Sequence, residues 1–209
     1  MRNYIKISFF TLLILTIIGC QNSDLKEKQL VLKKYGIWNS KNDSISVKLE
    51  LSQFNSWKDL LKRTDEITCS DSIPKVMLKT NKEMKTVYFR NPCWDRFGCI
   101  LIYRRNTIEI HNDSIFKGKK HYPLNSLTSI LKKDYNNNGA DSNYSDSPEK
   151  VIIFISYDDE VSIKSFSQTL NKLVNSYEDL NTKYDLKIWL KERIETPPPP
   201  PPPPITDDI

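Results

Sequence analysis

Val151-Ile-Ile-Phe-Ile-Ser-Tyr-Asp-Asp-Glu-Val161 is the stretch whose reading decides the fold. Val151 to Ser156 has the β-branched density of a buried strand. The period then changes. Val161, Phe166, Leu170, Leu173 and Val174 recur at helical spacing and define an amphipathic helix. Asp158-Asp159-Glu160 falls between the two, where acidic side chains favour a helix N-terminus. Leu186, Ile188 and Leu190 then alternate with other residues as a last strand.

The segments before this stretch follow the same grammar. After Pro123, Leu124, Leu127, Ile130 and Leu131 predict a helix up to Lys133, and Asp134 to Pro148 reads as an Asn-, Asp- and Ser-rich loop long enough to be mobile or functional. Thr107 to Ile110, the turn Asn112-Asp113 and Ile115-Phe116 predict a hairpin. The apolar run Cys99 to Tyr103 is either the start of one long strand, broken at Arg104-Arg105-Asn106, or a separate paired strand. The expectation for residues 99–193 is therefore an α+β domain of order β-β-α-β-α-β, a small mixed sheet with two helices.

An α/β extension over residues 44–98 is expected in front of it. Ile45, Val47, Leu49 and Leu51 alternate as a half-buried strand, and Asn55 or Ser56 caps a helix through Arg63 that carries Trp57, Leu60 and Leu61 on one face. Val76 to Leu78 and Thr86 to Phe89 are short strand candidates, with Pro74 and Pro92 limiting how far any element extends. This strand, helix, strand pattern is a faint echo of the second half, but no residue-level repeat supports a duplication.

The second half resembles the periplasmic domain of the ExbD/TolR family. The residues that carry the likeness are Thr107-Ile-Glu-Ile-His-Asn-Asp-Ser-Ile-Phe116, the helix around Leu127 and Leu131, and Val151 to Val161. The resemblance implies a fold with a hairpin before the first helix, a tendency to dimerise, and binding of an envelope partner such as peptidoglycan, a TonB-like protein or a motor complex. It does not imply ion conduction, since the family's transmembrane aspartate has no counterpart in this chain.

The chain opens with a short basic start, Arg2 and Lys6, then an apolar run from Ile7 to Ile18, then Gly19-Cys20. This is the pattern of a lipoprotein signal, with residues 1–19 removed and Cys20 lipidated. The run is short of the ~20 apolar residues that span a bilayer. Acyl chains on Cys20 then supply a membrane anchor without a transmembrane helix. Residues 20–43 follow as a polar tether. The expected location is the envelope of a Gram-negative bacterium, on the outer membrane and facing the periplasm.

Losing Arg2 and Lys6 with the leader lowers the formal charge from +5 to +3, which gives no electrostatic argument for nucleic acid. Beyond Cys20 the cysteines are Cys69, Cys93 and Cys99. Three thiols allow one internal disulfide, either Cys93 to Cys99 around a short turn or Cys69 to Cys93.

No nucleophile elbow, zinc helix, phosphate loop or dinucleotide fingerprint is present, and no cofactor is implied. His111, His121 and Asp113 would have to converge to hold a metal; two surface histidines of a hairpin are the simpler reading. Arg104-Arg105 beside Tyr103 would point to opposite faces of a strand. Asp43-Ser44-Ile45, Asp71-Ser72-Ile73 and Asp113-Ser114-Ile115 resemble an O-glycosylation acceptor of exported bacterial proteins, and each also serves as a turn into a strand. The reading is of a non-enzymatic binding protein. The alternatives are a cell-wall hydrolase, built on Asp158 to Glu160, the Asp134 to Pro148 loop and a histidine, or a purely structural lipoprotein.

Residues 194–209 form a proline-rich tail. Pro197 to Pro204 is an uninterrupted run of eight prolines, which fixes φ and removes every backbone donor, so a polyproline II rod of ~25 Å is expected. Such a rod is a ligand for an aromatic groove, a spacer, or a low-complexity end with no partner.

Overall fold

The computed structural model describes residues 31–36, 39–80, 83–96, 100–158 and 163–192. The leader with Cys20, Cys99, Asp159-Glu160 and the proline tail lie outside the described residues. The chain divides into Met1–Val31 and Leu32–Ile209; the described elements lie in the second unit, apart from Val31, the first residue of β1.

The fold is mixed α+β, with a four-stranded and a five-stranded sheet and three helices. In the first sheet the order is β1-β4-β3-β2, built from β1 (Val31–Tyr35), β2 (Ser46–Lys48), β3 (Ile73–Lys79) and β4 (Glu83–Tyr88). β2 and β3 are parallel, joined by helix α1 (Trp57–Cys69), and β4 returns antiparallel to β3.

Ser56 caps α1 by accepting from the Asp59 amide at 3.1 Å. The helix runs six residues past the expected Arg63, because Thr64 and Ile67 extend the buried stripe of Trp57, Leu60 and Leu61. Thr64 and Thr68 return their hydroxyls to carbonyls one turn back, so neither is left unpaired. Pro74 does not stop β3, contrary to expectation. Its carbonyl accepts from Phe89 at 3.0 Å, so its nitrogen faces the β4 side just past the last ladder pair, Lys75 with Tyr88, where no donor is required.

The second sheet has order β7-β6-β5-β8-β9, with β5 (Thr107–His111), β6 (Ser114–Lys117), β7 (Lys120–Pro123), β8 (Ile152–Ser156) and β9 (Ile188–Leu190). β5, β6 and β7 form an antiparallel meander, while β5, β8 and β9 are mutually parallel. Helices α2 (Leu127–Asn137) and α3 (Ile163–Glu178) supply the crossovers. The hairpin turns at Asn112, whose φ of 50° suits a two-residue connection.

Three expectations for this half are corrected. Residues 100–103 are not a strand, and the observed order is β-β-β-α-β-α-β, with β7 added. β5 is central, with both neighbours taken by β6 and β8, and a 3-10 turn at Arg104–Asn106 breaks the chain before it. The Asp134 to Pro148 loop begins later than expected, since α2 continues to Asn137 with Asp134 and Tyr135 buried in it.

Buried residues of both sheets join one hydrophobic core. Trp57 of α1 packs edge-on against Phe166 of α3 and against Tyr157, at 5.2 and 5.1 Å between ring centroids. Past β4 the chain docks on the outer edge of β9. The Arg90 amide donates to the Ile188 carbonyl, and the Asn91 side chain donates to the Leu190 carbonyl at 2.6 Å and accepts from the Leu190 amide at 2.9 Å. Asn91 thus imitates a peptide group and closes a strand edge that would otherwise be open. Gly36 makes the same corner possible: with φ at 77°, an added Cβ would stand 2.4 Å from the Tyr88 carbonyl oxygen.

Candidate functional site

Strand period places alternate residues of the five-stranded sheet on opposite faces. Ile108, Ile110, Ile115, Ile153, Ile155, Ile188 and Leu190 are buried with α2 and α3 in the core. The opposite face carries a row in register across all five strands: His121, Phe116, Glu109, Phe154 and Trp189. Phe154 and Trp189 meet edge-on at 5.6 Å, Phe116 and His121 lie 6.3 Å apart, and Trp94 extends the row beyond β9, 6.0 Å from Trp189.

At the middle of the row Lys191 lies over the Phe154 ring, its Nζ 4.5 Å from the centroid, and reaches Glu109 at 3.0 Å. Both partners are partly exposed, so this pair orders side chains more than it stabilises the fold. A cleft of about 210 Å³ opens here, with Thr107, Glu109, Phe116 and Phe154 as its floor and Ile102 and Arg104 along its lip. Leu101, Tyr103 and Trp94 stand exposed beside it. Among the described residues the lining offers aromatic faces, two cations and one carboxylate. Such a surface can stack, pair and hydrogen-bond a ligand.

The hydrolase alternative finds a partial constellation at the C-terminal ends of β5 and β8, where His111 and Ser156 are register partners. His111 Nδ1 lies 3.0 Å from Ser156 Oγ, its Nε2 lies 3.4 Å from Asp158, and Asn112 donates to Asp158 at 2.9 Å. Ser156 is wholly buried, so its oxygen cannot meet a substrate, and the acid faces the nitrogen that a serine triad reserves for the nucleophile. The group ties two parallel strands to the loop after β8.

His111, His121 and Asp113 do not converge. Among the described residues the one gathering with metal-ligand spacing is Cys69, Cys93 and Asp95. There both sulfurs are spent in a disulfide between Cys69 and Cys93, the second of the two pairings the sequence left open, which fastens the end of α1 to the segment after β4. The Cys93 to Cys99 alternative is excluded because Cys93 is already bonded. Arg104 and Arg105 sit on a 3-10 turn rather than a strand; Arg104 lines the cleft, and Arg105 pairs with Asp146 at 2.8 Å.

The acceptor-like Asp43 is an ion-pair hub: hydrogen bonds from Lys34, Tyr88 and Lys75 hold its carboxyl well below the usual range. Asp71, at φ 57°, accepts from Arg96 at 2.6 Å.

Two ionic groups, one buried and one half-buried, escaped sequence reading. Lys117 of β6 and Asp134 of α2 meet at 2.6 Å with almost no exposure. Lys117 also donates to the Arg105 and Thr107 carbonyls, while Asp134 accepts from the Ser145 amide at 2.8 Å. Burial pushes the Asp134 carboxyl up and the Lys117 ammonium down, each against its partner's pull. The second group centres on Glu178 at the end of α3. Burial opposes its charge, yet hydrogen bonds from Lys33, Lys85 and Tyr35 bring its pKa down to about 2. Lys33 and Tyr35 belong to β1, a strand hidden in the sequence because its lysines read as tether.

Compared with known proteins, the chain matches no family model, no curated protein and no solved structure. No helix among the described residues is long and apolar enough to cross a membrane.

Proposed function

We propose that this chain is a lipid-anchored envelope protein, non-enzymatic, that binds an envelope partner through the open face of its five-stranded sheet. The observation that carries this reading is the in-register row from His121 to Trp189 beside the cleft, on the one sheet face that α2 and α3 leave uncovered. Aromatic rings with a polar rim are what recognition surfaces concentrate. The meander, helix, parallel strand, helix and last parallel strand between Thr107 and Leu190 support the resemblance to the ExbD/TolR periplasmic domain. Gly19-Cys20 supplies the anchor in place of that family's transmembrane helix.

The test is photo-crosslinking in cells. A photoreactive side chain at Trp189 or Phe116 should capture a motor-complex protein, a TonB-like protein or peptidoglycan, while one at Lys132, exposed on α2, should not. Equal capture from both faces, or none from the open face, overturns the docking surface. Separately, Cys20→Ser should move the protein to the soluble fraction, and continued membrane retention overturns the anchor.

A further inference from the structure

The chain itself carries a segment whose chemistry and length match the open face. Lys191 lines the cleft, so the chain leaves β9 at the rim of that face. The four residues Arg193 to Thr196 span up to ~13 Å when extended, whereas returning from Lys191 to the level of Trp189 takes ~7 Å. The row crosses four strand gaps, ~19 Å in all, and eight prolines in polyproline II form reach ~25 Å. A rod that starts over Trp189 therefore ends just past His121. The residues that follow it include Asp207 and Asp208, and the edge they reach carries Lys119 and Lys120, both exposed. Proline rings pack on aromatic faces without loss of conformational freedom, because the rod is already formed. Their carbonyls suit the indole N–H groups of Trp94 and Trp189, which donate to no described residue.

From this we infer that Pro197–Pro204 docks on the aromatic row of its own domain, from Trp94 and Trp189 toward His121, and so occupies the face in competition with an outside partner. The inference rests on the proposed docking surface.

The test labels the full chain with fluorotryptophan and follows its four tryptophans by fluorine NMR, assigned by Trp38→Phe, Trp94→Phe and Trp189→Phe, which leaves Trp57 by difference. Replacing the eight prolines by four Gly-Ser pairs should shift the Trp94 and Trp189 signals and leave Trp57, buried in the core, where it was. Free octaproline should reverse the shift, and Asp207→Lys with Asp208→Lys should reproduce part of it. Signals that do not move with the tail swap overturn the inference. So does a tail-dependent shift that disappears on dilution, which would assign the face to a second copy's tail. A shift of Trp57 equal to the others would signal a general loss of packing and also count against it. Crosslinking from Trp189 to an outside partner is read in the chain carrying the Gly-Ser tail, where no proline run competes, so docking surface and tail occupancy fail separately.

Discussion

Replacing Lys117 with Met breaks the buried pair and, with it, the bonds from Lys117 to the Arg105 and Thr107 carbonyls. The substitution keeps an apolar stem of similar length but leaves Asp134, with no exposed surface, holding only the Ser145 amide. Losing one partner of a buried ion pair costs ~3–5 kcal/mol. A ceiling exists, because the stranded carboxyl can instead take a proton: from an unfolded value of about 3.9, doing so at pH 7 costs ~4 kcal/mol. The expected loss is therefore ~3–4 kcal/mol at pH 7, roughly a 10 °C fall in Tm for a chain of this size.

The sign of the pH dependence follows from linkage. In Lys117→Met the folded pKa of Asp134 lies above the unfolded one, so the native state binds the extra proton. The part of the penalty owed to the carboxylate shrinks as pH falls, by ~1.4 kcal/mol per unit, and is nearly gone at about pH 4, leaving what the Arg105 and Thr107 carbonyls lose. Urea unfolding of wild type and variant at pH 7, 6 and 5, with the disulfide intact, reads this directly. Lys117→Met with Asp134→Leu should be more stable than Lys117→Met alone, short of wild type by what the Ser145 amide and the Arg105 and Thr107 carbonyls lose. A penalty that stays constant with pH, or a double variant as unstable as the single one, would refute the reasoning.

Glu178 gives the opposite pH signature: its folded pKa is depressed to about 2 from 4.5, so its stabilisation is present above 4.5 and is lost as pH falls toward 2. Glu178→Gln should flatten that part of the acid-unfolding profile, and an unchanged profile would count against the cluster with Lys33, Lys85 and Tyr35. Asn91→Ala removes both bonds to the buried Leu190 backbone, at ~1–3 kcal/mol for each group left unpaired. Exchange of the Leu190 amide should accelerate, and a protected amide would show that the β9 edge is closed by something else.

What the sequence made legible is what periodicity encodes. Ile152–Ser156, Thr107–His111 and the apolar stripes of α1, α2 and α3 declare themselves because burial repeats every two residues or every three to four. Where a buried position holds a charge, the same rule fails. Asp134 continues the stripe of Leu127, Ile130 and Leu131, but a carboxylate at that spacing reads as the end of a helix. β1 is concealed in the same way, since Lys33 and Tyr35 are held by Glu178, some 145 residues away in the chain. The run Cys99 to Tyr103 shows the converse error: residues 100–103 are apolar enough for a strand, yet they pair with no strand of either sheet.

The open face was illegible for a different reason. Phe116, Glu109, Phe154 and Trp189 occupy the alternate positions of four strands, and nothing in any one strand marks them as a set. Only register joins them. His121, Phe116, Glu109, Phe154 and Trp189 align because the hairpin turns at Asn112 and Gly118 each take two residues, and because β8 starts opposite Thr107. A shift of one residue in any pairing would send that strand's contribution into the core and bring an isoleucine, a lysine or a tyrosine out to the surface. The same buried isoleucines that fix the fold therefore fix the row, and a binding surface arises on this sheet as the reverse side of its core.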